Sequence, residues 1–331
     1  MDGDAILREL LARNRGMHPI YRGGLANHLP MELCALSGLG ASSERMSAFF
    51  ASYSRRLDPF PAEGRAVSKD TWRQLLGQPD ALYGFAQYFA GDLRERGREV
   101  VLRDVLEAFA PSVSSELFHC LIRTAFGVRF DDDEEVAHGL AYWAIRPQAL
   151  GPLAPEAGRE REFAALLARV RESPSLGQAE LKGNSNPGRM KQASQLVGFP
   201  EVVDALEVDE GTLDRMARAV LGLYVSTRDF TALHAVTSTH ALRILLPYFP
   251  DRDLALRYHA QALLAAYVRM GAPEIDPRSA EDAPPWDAIA TKAVASEDDH
   301  DAKFVYACRE EQFARGDALY RRAAALRVQL T

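Results

Sequence analysis

The sequence predicts an all-α protein, and three observations predict it. Apolar residues recur at i, i+3, i+4 and i+7 in segment after segment, the spacing of a helix with one buried face. Strict apolar–polar alternation over five or more residues, which a half-buried strand requires, is hard to find. The ends of the segments are also punctuated. Asp251, with Asp253 two residues on, puts acid where the helix dipole favours it, and Ser68 and Ser114 stand where a side chain can cap a first turn. Gly97, Gly151, Gly271 and Gly316 sit just past periodic runs, where a left-handed residue closes a helix.

In chain order, this spacing predicts helices over 4–14, 29–37, 43–54, 69–76, 80–96, 103–108, 114–127, 133–145 and 156–172. A second group follows over 212–226, 230–248, 253–270, 286–295, 300–315 and 317–328. Between the groups, 173–200 (SPSLGQAELKGNSNPGRMKQASQLVGFP) is rich in Gly, Ser, Asn and Pro and reads as a lid or a surface excursion. A second loop, 273–285, ends in Pro284-Pro285-Trp286. No repeat of fixed period relates the halves, which argues against a helical solenoid. The length of 331 residues allows two domains, but the chain reads as one helical domain over 1–331 carrying the excursion at 173–200.

Composition excludes several functions. With 47% hydrophobic and 26% charged residues, the chain can bury a large core and stay soluble. The net charge of −7, with basic residues scattered and not blocked together, argues against a nucleic-acid partner. Three cysteines far apart (Cys34, Cys120, Cys308) are no disulfide framework and fit a reducing compartment. The start of the chain lacks an export signal, and no apolar run approaches the ~20 residues of a spanning helix. The expectation is a cytoplasmic protein without membrane or nucleic-acid partners.

The eight histidines carry the chemistry, because a buried imidazole must satisfy two ring nitrogens. In GGLANHLP (23–30), His28 meets a helix start with Pro30 suited to its first turn, and Asn27 capping that helix beside a satisfied histidine explains the segment equally well. In SSELFHCLIR (114–123), His119 lies one helical turn before Arg123, which could orient an anionic substrate or form a structural ion pair. In FTALHAVTSTHALR (230–243), His234 and His240 are six residues apart, about 600° on a regular helix, and share a face only if the helix breaks. Thr237-Ser238-Thr239 is the place for that break. In DDHDAKFVYA (298–307), His300 and Lys303 are i, i+3 neighbours, a common pairing by itself. His18, His138 and His259 fall outside these segments and read as structural or surface residues.

Taken in order, G-G-x-x-N-H-L-P, F-H-x-L-I-R, L-H-A-V-T-x-T-H-A-L-R and D-x-H-x-x-K-F-V-Y-A-C resemble the signature of the questin oxidase-like family, over essentially the whole chain. Fungal members of that family are associated with oxidative ring opening of anthraquinones. The resemblance implies a single multi-helical domain enclosing a histidine-rich central pocket. It implies a non-haem iron (Fe2+) centre whose candidate ligands are His28, His119, His234, His240 and His300, with Lys303 carboxylated to an oxygen ligand. A carbamate forms only on a neutral amine, so Lys303 would have to be desolvated or beside a cation. Five histidines and a lysine exceed an open octahedral site, so at least one stands outside it, His234 first among them.

The implied activity is oxygenation or ring opening of a cyclic or aromatic small molecule with dioxygen. Arg123, Arg243 and Tyr306 are candidate substrate-orienting residues by their nearness to the motif histidines. Gly38-Leu39-Gly40-Ala41-Ser42-Ser43 lacks a preceding strand, so neither a bound flavin nor a Rossmann nicotinamide site is predicted, and NADPH taken from solution stays open. Two other readings stay open as well: a zinc-type hydrolase on the same ligands, and a helical interaction scaffold whose histidines only pack.

Overall fold

The computed structural model describes residues 3–156, 158–275 and 283–330. Among them are seventeen α-helices and one small hairpin, so the all-α class holds. The first half carries α1 (Gly3–Asn14), β1 (Ile20–Tyr21), β2 (Leu25–Ala26), α2 (Leu29–Gly38), α3 (Ser43–Tyr53), α4 (Leu82–Arg96), α5 (Arg98–Phe109), α6 (His119–Arg129), α7 (Asp133–Ile145) and α8 (Phe163–Glu172). The second carries α9 (Pro174–Gly177), α10 (Asn186–Ala193), α11 (Phe199–Asp204), α12 (Thr212–Thr227), α13 (Phe230–Leu245), α14 (Arg252–Arg269), α15 (Trp286–Ala295), α16 (Asp301–Arg315) and α17 (Leu319–Arg327).

The chain divides into two compact units. One comprises Met1–Arg98, Ile122–Arg146 and Ala280–Thr331, the other Glu99–Leu121 and Pro147–Ser279. In the first unit α2 is buried along Leu29–Leu36 and packs on α1, α3 and α16, while α4 lies along α7. A helix apolar on every side belongs at the centre of its unit. Arg22 and Gly23, both with positive φ, turn the antiparallel hairpin β1–β2 and deliver the chain to His28 at the start of α2. In the second unit α14 holds the equivalent central place, buried from Ala255 to Val268 apart from Tyr258, and packs on α8, α10, α11, α12 and α13.

Several expected elements differ. Residues 69–77 form successive turns and no α-helix; Ser68 and Thr71 bond each other through their hydroxyls (3.0 Å), which caps nothing. Ser114 is not a cap either, since its hydroxyl donates to the Gln148 carbonyl. The helix expected from 114 starts at His119, because Glu116, Leu117 and Phe118 all have positive φ and make a left-handed turn. The loop-rich stretch 173–200 holds α9, α10 and α11. These are too short to show periodicity, yet each buries an apolar residue: Leu176, Met190 and Phe199. Of the loop at 273–285, residues 276–282 lie outside the described residues. No described helix is long and apolar enough to cross a membrane.

Candidate functional site

In the first unit, two helix starts bring His28 and His300 together. Each occupies the position before its helix, α2 and α16, and their rings meet edge to face with centroids 4.5 Å apart. Between them stands Asp299. Its Oδ2 lies 3.2 Å from His28 Nδ1 and its Oδ1 lies 2.9 Å from His300 Nδ1. A carboxylate only accepts, so this arrangement puts the protons on Nδ1 and leaves Nε2 of both rings with its lone pair. Tyr53 completes the frame: its hydroxyl donates to Asp299 Oδ2 at 2.7 Å and accepts the His28 amide at 3.2 Å. Burial favours the protonated Asp299, but the hydrogen bonds from His28 and His300 win and hold it well below the usual carboxylate range. His28, Asp299 and His300 each offer a donor atom within 4.8 Å of the other two.

Behind this group lie two buried titratable residues, Glu32 and Lys303. Glu32 on α2 accepts the first-turn amides of α16, Ala302 at 3.2 Å and Lys303 at 3.1 Å, and so caps the helix that carries His300. Lys303 is fully buried, and among the described residues its amine has no hydrogen-bond partner. Burial drives both groups toward neutrality, raising Glu32 and lowering Lys303, while their mutual attraction opposes it.

In the second unit, His119 and His234 meet. His119 Nδ1 donates to the Glu116 carbonyl at the left-handed turn, and His234 Nδ1 donates to the Phe230 carbonyl one turn back on α13, at 2.8 Å. Carbonyls only accept, so both Nδ1 atoms are protonated and both Nε2 atoms carry lone pairs. The two Nε2 atoms nevertheless lie 3.1 Å apart. Two lone pairs at that distance require a proton or a cation shared between them.

The expected break in α13 is absent. Thr237, Ser238 and Thr239 return their hydroxyls to carbonyls one turn back, and the helix runs unbroken from Phe230 to Leu245. His240 is therefore buried on a different face of α13 from His234. Of the three orienting candidates, Arg123 is buried and paired with Glu135 through two hydrogen bonds, 2.6 and 3.2 Å. That is the ion-pair alternative read from the sequence. Tyr306 packs with Phe126 and Phe130 over Gly38, where no Cβ would fit, and burial pushes its hydroxyl up to about 12. Arg243 is half-buried in the last turn of α13.

Sequence reading passes over Asp299, Tyr53, Glu32 and the turn at 116–118. One signal was available: a glutamate inside the apolar run LPMELCAL costs too much to bury without a partner. The turn left none, since Glu, Leu and Phe are ordinary helix residues.

The comparisons give the family of this all-α fold with its two anchored imidazole pairs. The questin oxidase-like family matches residues 25–308, and the chain belongs to it. Its relatives include questin oxidase of Aspergillus fumigatus, 24% identical over 97% of this chain and 84% of the relative. The Baeyer-Villiger oxidase mdpL of Emericella nidulans is also 24% identical, over 82% of this chain and 71% of the relative. Another, from Pestalotiopsis microspora, is 24% identical over 95% and 83%. That these relatives are oxidases supports an oxidoreductase.

Proposed function

We propose that this chain is an iron-dependent oxidoreductase that oxygenates a cyclic or aromatic small molecule with dioxygen. The observation that carries the reading is the opposed Nε2 pair of His119 and His234, both with Nδ1 anchored on a carbonyl. Such a pair is a ready donor set for a transition metal. In the second unit His119 and His234 would hold it; in the first, His28 and His300 present the same nitrogen, with Asp299 as orienting partner or oxygen donor. Iron among imidazole and oxygen donors supplies dioxygen activation.

The chain's own residues do the rest. Asp299 and the two carbonyls fix the tautomers, and burial of all four rings excludes bulk water. Lys303, desolvated and pushed toward its neutral form, meets the condition for adding CO2 and becoming an oxygen donor. Glu32, raised by the same burial, can keep a proton on its carboxyl beside that amine. The names of the relatives support oxygen insertion into a ring as the reaction class.

Elemental analysis of chelator-free protein tests the proposal, repeated on His28→Ala, His300→Ala, His119→Ala and His234→Ala. Iron retained by the parent and lost from the variants supports it and justifies oxygen-uptake assays on phenols and quinones, with and without NADPH. Zinc that sustains turnover selects the hydrolase, and metal-free folded protein selects the scaffold.

A further inference from the structure

We propose that His259 is a positioning residue for the His119–His234 pair, acting through Phe118 on one side and Thr239 on the other. The inference rests on reading that pair as metal ligands, but its first readout needs no metal.

Glu116, Leu117 and Phe118 have φ of 51°, 55° and 69°. A left-handed residue with a side chain brings Cβ against the following carbonyl, and three in succession persist only where their surroundings hold them. This turn has a purpose in the site: it aims the Glu116 carbonyl at His119 Nδ1 and so turns Nε2 toward His234. Local bonds account for part of its hold. The Phe118 amide donates to the Ser114 carbonyl at 3.2 Å, and Ser114 and Ser115 are tied to Gln148.

The side that faces the interior is held by His259 on α14. Phe118, fully buried, meets the His259 ring edge to face at 5.9 Å between centroids. The same ring reaches across to α13, its Nε2 lying 3.1 Å from Thr239 Oγ1, five residues beyond His234. A closed circuit results: turn to His259, His259 to α13, α13 to His234, and His234 back to His119. His259 is wholly buried and its Nδ1 has no hydrogen-bond partner among the described residues, so Thr239 is its one polar contact there. Removing the ring opens the circuit without altering either ligand.

The test uses the full chain as wild type, His259→Ala, His259→Gln and Thr239→Val. Long-range 1H–15N spectra of 15N-histidine protein, free of metal, read the tautomers of His119 and His234, and cobalt(II) titration then reads the affinity of the pair. Wild type should show both rings protonated at Nδ1. His259→Ala should give His119 a second ring state and weaken cobalt(II) binding about 10- to 100-fold. His259→Gln, whose amide reaches the position of Nε2, should restore both. Should His259→Ala not fold, Thr239→Val, nearly equal in volume, must shift both readouts in the same direction.

A folded His259→Ala protein with wild-type His119 tautomer and wild-type cobalt(II) affinity overturns the inference. Wild type that binds no cobalt(II) counts against the metal reading alone, and the tautomer spectra still decide whether His259 positions the pair.

Discussion

The two histidine pairs meet the same requirement with different anchors. In the first unit, a side-chain carboxylate serves both rings: Asp299 stands between His28 and His300 and is itself held by Tyr53. In the second, backbone carbonyls serve: Glu116 for His119 and Phe230 for His234. A carboxylate can be deleted by one substitution and titrated by acid; a carbonyl can be neither, and is lost only if the backbone moves. The first pair is thus tuned by charge and the second by conformation, and each prediction below probes one side of that contrast.

The largest effect belongs to the charged side. Glu32→Ala removes the acceptor of two buried first-turn amides of α16 and the carboxylate opposite Lys303. Leaving two buried amides without their acceptor costs about 2 to 5 kcal/mol, so the urea midpoint should fall steeply, with Glu32→Gln, which keeps an acceptor oxygen, losing less. Asp299→Ala comes next. It strips the Tyr53 hydroxyl and the His28 imidazole of their shared acceptor and leaves His300 only Asp298, 3.3 Å from its Nδ1, for about 2 to 3 kcal/mol, and metal binding should weaken with it. Asp299→Ala protein that keeps both its stability and its metal would break the charge-tuned account of the first pair.

Acid separates the buried imidazoles from the carboxylates by pH window. Burial pushes His259 down to about 3, so the folded protein keeps it neutral while the unfolded chain protonates it near 6.5. Between those values the unfolded state binds the extra proton, and stability falls as pH falls. From pH 6.5 to 5 its share of the loss should be about 1.6 kcal/mol, and His259→Gln should make that limb of the urea-stability profile shallower by that amount, leaving the slope that buried His138 contributes. Asp298 loses its contribution in the same direction, but at lower pH. Its hydrogen bond with His300 is the largest of the effects that lower it to about 2, so its contribution is whole above about 4 and disappears only between there and about 2. Mild acid should therefore draw on the buried imidazoles, His259 in the second unit and His138, which burial also pushes down to about 3, in the first, while the carboxylates around His300 still hold.

The same contrast explains what the sequence could reveal. Periodicity located most long helices, and α7 and α15 begin and end where the spacing places them, because that signal is local. Four of the motif histidines came together in pairs, as a chain with several buried imidazoles would suggest. The anchors stayed hidden for two reasons. Asp299 and Glu32 serve groups on other helices, and their roles depend on tertiary packing that spacing does not encode. The helix expected over 114–127 was misplaced at its start because Glu116, Leu117 and Phe118 have ordinary helical preferences, and only their contacts force φ positive. Thr237–Thr239 misled in the other direction: hydroxyls that can interrupt a helix bonded one turn back and left α13 continuous.

The smallest predicted effect has the opposite sign and sharpens the comparison most. Glu116 is only half-buried and sits at φ 51°, a conformation that costs a residue with a side chain about 1 to 2 kcal/mol and glycine almost nothing. Glycine also has more freedom to lose on folding, which returns up to about 1 kcal/mol of that gain. Where the backbone alone anchors His119 and outweighs the contacts of the Glu116 side chain, Glu116→Gly should therefore stabilise the protein, by about 1 kcal/mol at most, read as a small rise in urea midpoint at unchanged slope. The carbonyl survives the substitution, so His119 should keep its Nδ1-protonated tautomer. Stability lost at Glu116→Gly would mean that the side chain, and not the backbone, anchors His119, and the second pair would then be built on the same principle as the first.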